Sequence, residues 1–314
     1  MEQNDEYHEH EPFGHRHGTA VAGDAVLLVG HGSRSDAGRE ELLQLGALVA
    51  RRAPELLVEI GFLELSQPPA SVAGDRLVAR GARRVSVLPL MLNAAGHSKS
   101  DVPAVVMQAR ERHPSVSWHY GRPLGPDHAV LLLARRRVDE AGGAGLPLAL
   151  LARGTSDPDA NADAYKAARL LAECTGSRTV VTGYSGVTWP SVDGALEQLH
   201  RLGADRVVAF AWFLCTGILL ERMRSDFEVF AARTRVEVVD AGHLGPDPSL
   251  VPLLLDRHAE ALAGDIRMNC DVCAYRRPFP GLQDRVGQEL GLGHSHLAAE
   301  HRAHGHSHAN GGPP

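Results

Sequence analysis

Short apolar runs alternate with amphipathic stretches along most of the chain. Residues 25–29 (AVLLV) form such a run, and residues 38–52 follow with apolar positions at helical spacing. A second run at 57–63, a helical stretch at 70–80 and a third run at 84–92 continue the series. The apolar runs show no polar alternation, which is typical of strands that are buried on both faces. The pattern therefore predicts the α/β class, with a parallel sheet covered by helices on both sides.

The same series occurs twice, at a constant offset of 122 residues. The run before Arg153-Gly154 repeats the run before His31-Gly32. Further pairs at this offset are Gly61 with Gly183, Pro68 with Pro190, and residues 81–85 with 203–207. One offset without gaps predicts two tandem, duplicated α/β domains. We expect them to face a central cleft, with ligands beyond the carboxyl ends of the strands.

The two ends of the chain differ from this repeat in composition. They are rich in histidine, glycine and polar residues, so hydrophobic burial cannot offset the entropy of ordering them. We predict disordered tails at 1–22 and 291–314, domains at 23–143 and 144–265, and a cysteine-containing segment at 266–290. The first domain is predicted to be the catalytic one, and the second a degenerate copy.

Composition narrows the classes of partner. With 32 Lys and Arg against 38 Asp and Glu, the net charge is −6, which argues against a nucleic-acid partner. The longest apolar runs are about half of the ~20 residues that a membrane helix needs, and the acidic first residues do not resemble a signal peptide. Four cysteines are too few for a disulfide framework. These features predict a cytoplasmic protein without a membrane partner, and a homo-oligomer is left open.

The two copies differ at polar positions near the predicted carboxyl ends of strands. In each pair the first-copy residue comes first: His31 with Arg153, Glu64 with Gly186, and His97 with Leu219. A single loop histidine is often bonded only to backbone, but two at separate strand ends favour a metal site, because neutral imidazole binds divalent transition metals. We predict that His31 and His97 are catalytic metal ligands. Glu64 is the predicted third catalytic group, since a carboxylate accepts protons or balances a dication.

A serine and a cation follow each of these histidines. They are Ser33 and Arg34 in one loop and Ser98 and Lys99 in the other. At the start of a helix, backbone N–H groups and cations suit anionic ligands, although simple solvation would also explain the two cations. We predict that these four residues bind substrate carboxylates.

Other common chemistries fit these residues poorly. The glycines around His31 lack the third glycine of a dinucleotide-binding fingerprint, and Ser33 lacks the flanking glycines of a nucleophile elbow. Ser33 is also too close to His31 along the chain for an ordinary hydrolase triad. A metal storage or delivery protein remains as an alternative, in which the histidine-rich tails and the cysteines are the active parts.

The sequence resembles the class II tetrapyrrole chelatases, specifically the long, fused sirohydrochlorin cobaltochelatases of CbiX type. The matching stretches are LLVGHGSR at 27–34, GFLE at 61–64 with Pro68, VLPLML at 87–92, Gly96-His97 and DVP at 101–103. The resemblance implies insertion of a divalent metal into sirohydrochlorin without a nucleotide, for cobalamin biosynthesis. It also implies that His31 and His97 bind the metal and accept pyrrole protons, and that Arg153 is a further candidate for a substrate carboxylate. Cobalt is the implied metal, with iron, which gives sirohaem, and nickel as alternatives.

Cysteine and histidine clusters near the C-terminus suggest further metal sites. Cys270 and Cys273 form a CxxC pair, whose spacing suits half of a zinc site, a redox pair or part of an iron–sulfur site. The resemblance implies a [4Fe–4S] cluster, which prefers four thiolates, and Cys215 is a candidate for a further ligand. The tail histidines are predicted to buffer or deliver metal. They are His294, His296, His304, His306 and His308.

Overall fold

Two four-stranded parallel sheets form the core of the part of the chain that the computed structural model describes, residues 21–278 and 281–288. The strands of the first sheet, in spatial order, are β2 (Leu57–Phe62), β1 (Asp24–Gly30), β3 (Arg84–Pro89) and β4 (Ser117–Tyr120). Those of the second are β6 (Val180–Tyr184), β5 (Leu148–Ala152), β7 (Arg206–Ala211) and β8 (Glu237–Asp240). The identical strand order in the two sheets confirms the predicted pair of duplicated α/β units.

Helices cover both faces of each sheet. In chain order they are α1 (Asp36–Arg52), α2 (Ala70–Ala79), α3 (Val102–Arg112), α4 (His128–Glu140), α5 (Pro158–Thr175), α6 (Val192–Arg201), α7 (Ile218–Thr234) and α8 (Val251–Ala263). Single turns lie at His97–Asp101, Pro248–Leu250, Cys270–Val272 and Gln283–Arg285. Within the described residues, every helix is too short or too polar to span a bilayer.

The two halves exchange their last helices. Helix α4 precedes β5 in the chain and packs against α5 and β7 of the second half, whereas α8 packs against β3, β4 and α1 of the first half. A single buried cluster therefore contains residues from both sheets, such as Leu28 and Leu88 from the first, and Leu150 and Phe210 from the second. The domain limits at 23–143 and 144–265 stay a prediction, since each half is completed by a helix of the other.

His258 ties α8 to the first sheet. Its Nδ1 lies 2.7 Å from the Ser86 hydroxyl of β3, and both residues are buried. Burial lowers the pKa of His258 to about 4 from the ordinary 6.5, even though the Asp24 carboxylate acts in the opposite direction. The imidazole is therefore neutral in the folded protein at neutral pH.

We expect the protein to lose stability as the pH falls from 6.5 towards about 4, the interval between the two pKa values of His258. Over that interval the unfolded chain binds a proton that the folded chain does not, so the loss reaches about 3 kcal/mol when it is complete. Urea unfolding between pH 4 and 7.5 measures it. Asparagine cannot titrate, so the unfolding free energy of His258→Asn should depend less steeply on pH than that of the wild type. The exposed control His128→Asn should keep the wild-type pH dependence. Equal slopes for all three proteins would contradict the assignment.

Candidate metal centre

Three polar side chains meet where strands of the first sheet end. His31 follows β1 directly, Glu64 lies two residues beyond β2, and His97 begins the turn after β3. Because parallel strands present their carboxyl ends at one edge, residues distant in the sequence converge there. The ligand atoms of the three side chains lie within 4.8 Å of one another. Among the residues that the structure describes, no other group of three or more His, Cys, Asp or Glu side chains meets in this way.

The contacts within the centre are close. His31 Nε2 lies 3.1 Å from Glu64 Oε1, and the His31 and His97 rings stand edge to face with 4.5 Å between centroids. The His31 and Glu64 side chains are about one-third exposed (34% and 33%), whereas His97 is 16% exposed. The site is therefore open to a ligand on the side of His31 and Glu64.

A glycine allows the His31 turn to pack against the Glu64 loop. Gly32 has a φ of +102°, and a Cβ there would lie 1.7 Å from the Glu64 carbonyl oxygen. The Glu64 N–H donates to the His31 carbonyl at 3.0 Å, and the Ser33 N–H donates to Ser66 Oγ at 3.0 Å. Any side chain at position 32 would push the two loops apart and separate His31 from Glu64.

The environment of His31 keeps its imidazole neutral. Burial, and next the neighbouring His97, lower the pKa of His31 to about 4, against the opposing effect of Glu64. Its Nδ1 lies 3.2 Å from the Gly32 carbonyl oxygen. When Nδ1–H donates to this carbonyl, the Nε2 lone pair and the Glu64 carboxylate point at the same space. A dication between them would be stabilised by both groups.

Asp101 is a site residue that the sequence analysis did not identify. His97 Nδ1 lies 2.5 Å from Asp101 Oδ2, and Asp101 is only 4% exposed. The segment His97–Asp101 is one turn of π-helix, a form that is frequent at functional sites, and it places the two residues face to face. A carboxylate on Nδ1 fixes the tautomer in which Nε2 is free to bind a metal. The signal in the sequence was the His-x-x-x-Asp spacing. That spacing alone does not show that the two side chains meet, because their contact depends on the π-turn.

Two of the predicted substrate-binding residues are buried away from the cleft. The Lys99 side chain is 4% exposed, and its Nζ lies 2.9 Å from Asp157 and 2.8 Å from Asp159, both in the second half. Burial alone would lower the pKa of Lys99, but these carboxylates raise it above the ordinary value. Ser98 is 1% exposed, and its hydroxyl donates to Met91 Sδ. In this structure Lys99 joins the two halves and does not reach the cleft surface.

The other three predicted substrate-binding residues lie at strand ends. Ser33 Oγ accepts the N–H of Ser35 at 3.0 Å, which shapes the loop after β1. Arg34 is exposed in that loop. Arg153 is exposed at the end of β5, and its charge also lowers the pKa of His31. Arg34 in the first half and Arg153 in the second half are thus exposed cations at the carboxyl ends of strands, and Arg153 is near enough to His31 to act on its charge.

The cysteines do not form a cluster site in the described part of the chain. Burial and the Glu41 carboxylate raise the pKa of Cys215 to about 12, which disfavours the thiolate that a metal requires. Cys270 and Cys273 are free thiols, and neither belongs to a group of three ligands among the described residues. The expected [4Fe–4S] cluster is thus not supported, because the four thiolates that it prefers are not brought together. The histidines predicted for metal buffering, from His294 to His308, lie outside the described residues.

Residues 266–278 and 281–288 contact both halves next to the candidate centre. Asn269 donates to Asp159 at 2.7 Å, and Arg285 donates to Ser156 at 2.8 Å. The Tyr275 hydroxyl lies against Gly96, which precedes His97. The segment therefore holds the second half while it contacts the His97 turn of the first half.

Fold and site together define a class of duplicated α/β proteins with a candidate histidine–carboxylate metal centre in the first half. The model of the CbiX family matches residues 25–141 and 147–261. The chain belongs to the CbiX family, which confirms the resemblance inferred from the sequence.

Relatives and solved structures agree with this assignment. A sirohydrochlorin cobaltochelatase of Priestia megaterium is 39% identical over 259 residues, which cover 80% of this chain and 84% of that protein. A sirohydrochlorin ferrochelatase of Bacillus subtilis is 28% identical and covers 76% and 92% of the respective chains. The structure of SirB from Bacillus subtilis with Fe³⁺ superimposes with a TM-score of 0.68 at 28% identity, covering 77% of this chain and 96% of that one. The cobalt complex of SirB from Bacillus subtilis subspecies spizizenii gives 0.65 at 26% identity, with the same coverage.

Proposed function

We propose that this protein is a lyase that inserts Co²⁺ into sirohydrochlorin, a step of cobalamin biosynthesis. The observation that carries the proposal is the convergence of His31, Glu64 and His97 within 4.8 Å, with a neutral imidazole at His31. The cobaltochelatase relative, at 39% identity, supports cobalt as the metal. Insertion of Fe²⁺ to give sirohaem is the second candidate, because ferrochelatases are among the relatives at 28% identity.

The side chains of the centre account for both parts of the proposed reaction, metal delivery and proton removal. The metal ion is a substrate, and His31 and His97 hold it through imidazole nitrogens before it enters the ring. The macrocycle loses two pyrrole N–H protons for each dication that it accepts. Glu64, which lies 3.1 Å from His31, and the imidazoles released by the metal can receive these protons and pass them to water. No step uses a nucleotide.

Exposed cations are suited to the acidic edge of the substrate. Sirohydrochlorin carries carboxylates around its ring, and a protein with net charge −6 must attract them through local positive charge. Arg34 and Arg153 supply this charge on the two sides of the cleft, and Ser33 lies beside Arg34. Lys99 has no part in this proposal, because its ammonium group is held between Asp157 and Asp159.

An absorption assay tests the proposed reaction. Purified full-length protein is mixed anaerobically with sirohydrochlorin and Co²⁺, Fe²⁺ or Ni²⁺, and the spectral change is compared with a control without protein. We expect acceleration, with the highest kcat/KM for Co²⁺. Absence of acceleration with every metal would overturn the proposal, and a clear preference for Fe²⁺ would favour the second candidate.

Asp101→Ala is expected to weaken Co²⁺ binding by about 10- to 100-fold, because His97 loses the group that fixes its tautomer and orientation. Calorimetric titration of the protein with Co²⁺ in the absence of sirohydrochlorin measures the affinity. Asp101→Asn keeps a hydrogen-bonding group, so its Co²⁺ affinity should lie between those of the wild type and Asp101→Ala. The matched control is Asp205→Ala, at an exposed aspartate remote from the centre. Wild-type affinity in Asp101→Ala would show that Asp101 does not position His97.

A further inference from the structure

Three large apolar side chains stand exposed in equivalent loops of the two halves. Leu65 in the loop after β2 is 51% exposed, and Val187 and Trp189 in the loop after β6 are 63% and 80% exposed. Leu65 and Val187 are related by the repeat offset of 122 residues. We refer to Leu65, Val187 and Trp189 as the apolar rim. Apolar side chains that stay exposed in the loops around a site commonly mark a ligand or partner surface.

The backbone holds two members of the rim in a costly conformation. Leu65 has a φ of +62° and Val187 a φ of +70°. Bulky and β-branched residues rarely adopt this left-handed region, and such strain concentrates at functional sites. Glycine would avoid the strain at either position, yet both copies keep an apolar side chain there.

The rim borders the metal centre on both sides of the cleft. Leu65 directly follows Glu64, whose carbonyl oxygen rests against Gly32. In the second half the same packing recurs, because a Cβ at Gly154 would lie 2.2 Å from the Gly186 carbonyl oxygen and 3.1 Å from Thr188 Cγ2. The loop of Val187 and Trp189 is thus fixed to the turn after β5. That turn continues into Asp157, whose carboxylate lies 2.9 Å from Lys99 Nζ in the turn after β3 of the first half. Leu65 therefore lies at the edge of the first half that carries the candidate metal ligands, and Val187 and Trp189 lie at the equivalent edge of the second half.

We propose that the apolar rim binds the macrocycle of the tetrapyrrole substrate and holds it over the metal centre. This inference rests on the proposed function. The macrocycle is a flat conjugated ring with apolar faces, and its charged groups lie only at its edge. A site for it needs apolar surface around the metal ligands and cations further out, and here the rim is accompanied by the exposed Arg34 and Arg153. Trp189 is the member suited to stacking on the ring.

Binding measurements on rim variants of the full chain test the proposal. Sirohydrochlorin is titrated without metal and followed by its absorption, and Co²⁺ binding is measured separately. Trp189→Ala should weaken sirohydrochlorin binding by about tenfold and leave the Co²⁺ affinity unchanged. Val187→Ser should weaken sirohydrochlorin binding less than Trp189→Ala does. Trp189→Phe should keep most of the wild-type affinity for sirohydrochlorin. The matched controls are Leu202→Ser, directly after α6, and Val229→Ser, on α7. These two side chains are 70% and 67% exposed, and both lie outside the cleft loops.

Each outcome separates this inference from the proposed function. If the wild-type protein does not bind sirohydrochlorin, the proposed function fails and the inference fails with it. If the wild-type protein binds and the rim variants bind equally well, only the inference is overturned. Equal weakening of Co²⁺ and sirohydrochlorin binding would show that the substitution disturbs the cleft as a whole. This result would also overturn the inference. A rim variant that alters dimerisation in sedimentation experiments, with sirohydrochlorin affinity unchanged, would assign the rim to contact with a second copy of the chain.

Discussion

Replacement of His97 by alanine is expected to reduce kcat for cobalt insertion by at least ~100-fold, and His31→Ala should have a similar effect. In the proposed mechanism, each variant removes a metal-holding nitrogen and a proton acceptor from the same step. The two losses should therefore not add in the double variant, because the residues act as a unit. Initial rates from the absorption assay, at saturating sirohydrochlorin and Co²⁺, measure the effect.

The fold should survive both substitutions. The His31 and His97 side chains lie outside the hydrophobic clusters, so circular dichroism should match that of the wild type. His97→Ala should lower the urea midpoint more than His31→Ala, because it leaves the buried Asp101 carboxylate without its partner. The matched control is His128→Ala, at an exposed histidine that begins α4. Full activity in both cleft variants would remove these histidines from the mechanism.

Lys99→Met is expected to destabilise the protein by about 3–5 kcal/mol, since it leaves two buried carboxylates without their cation. Asp157 and Asp159 are 1% and 6% exposed, and Lys99 Nζ bonds to both. Urea unfolding at pH 7 measures the loss. In the triple variant with Asp157→Asn and Asp159→Asn most of the stability should return. The uncompensated charges are then gone, and the amide oxygen of an asparagine at position 157 can still cap α5.

An exposed ion pair provides the comparison for Lys99. Arg169 and Glu173 pair on the surface of α5, with 63% of each side chain exposed. Arg169→Met should change the stability by less than ~1 kcal/mol, because solvent screens such pairs. If Lys99→Met costs no more than Arg169→Met, the buried ion pairs do not hold the two halves together.

Most of the fold was predictable from local pattern. The apolar runs at 25–29 and 57–63 coincide with β1 and β2, and the repeat offset predicted the second sheet. The exchange of α4 and α8 was not predictable, because the apolar face of a helix shows that it is buried but not which sheet it covers. That choice depends on contacts between residues more than a hundred positions apart, such as Ser86 with His258.

The candidate site was predictable where the two copies differ. His31, Glu64 and His97 stood out because the second copy lacks them, and the structure brings them together. Lys99 is a different case, because the sequence of a loop indicates only that its lysine is a cation, and a solvated one is the ordinary expectation. Those partners come from the second half, so only the assembled fold shows that Lys99 is buried.

The helix exchange between the two halves also limits how a substrate can enter the cleft. Hinged clamps open because their lobes are joined only by a thin linker and share little apolar surface. Here a wide opening would pull α8 off β3 and expose the cluster that contains Leu28 and Leu150 to water. The helix exchange therefore opposes a wide hinge opening, and we expect the flat ring of the proposed substrate to enter the cleft edge first.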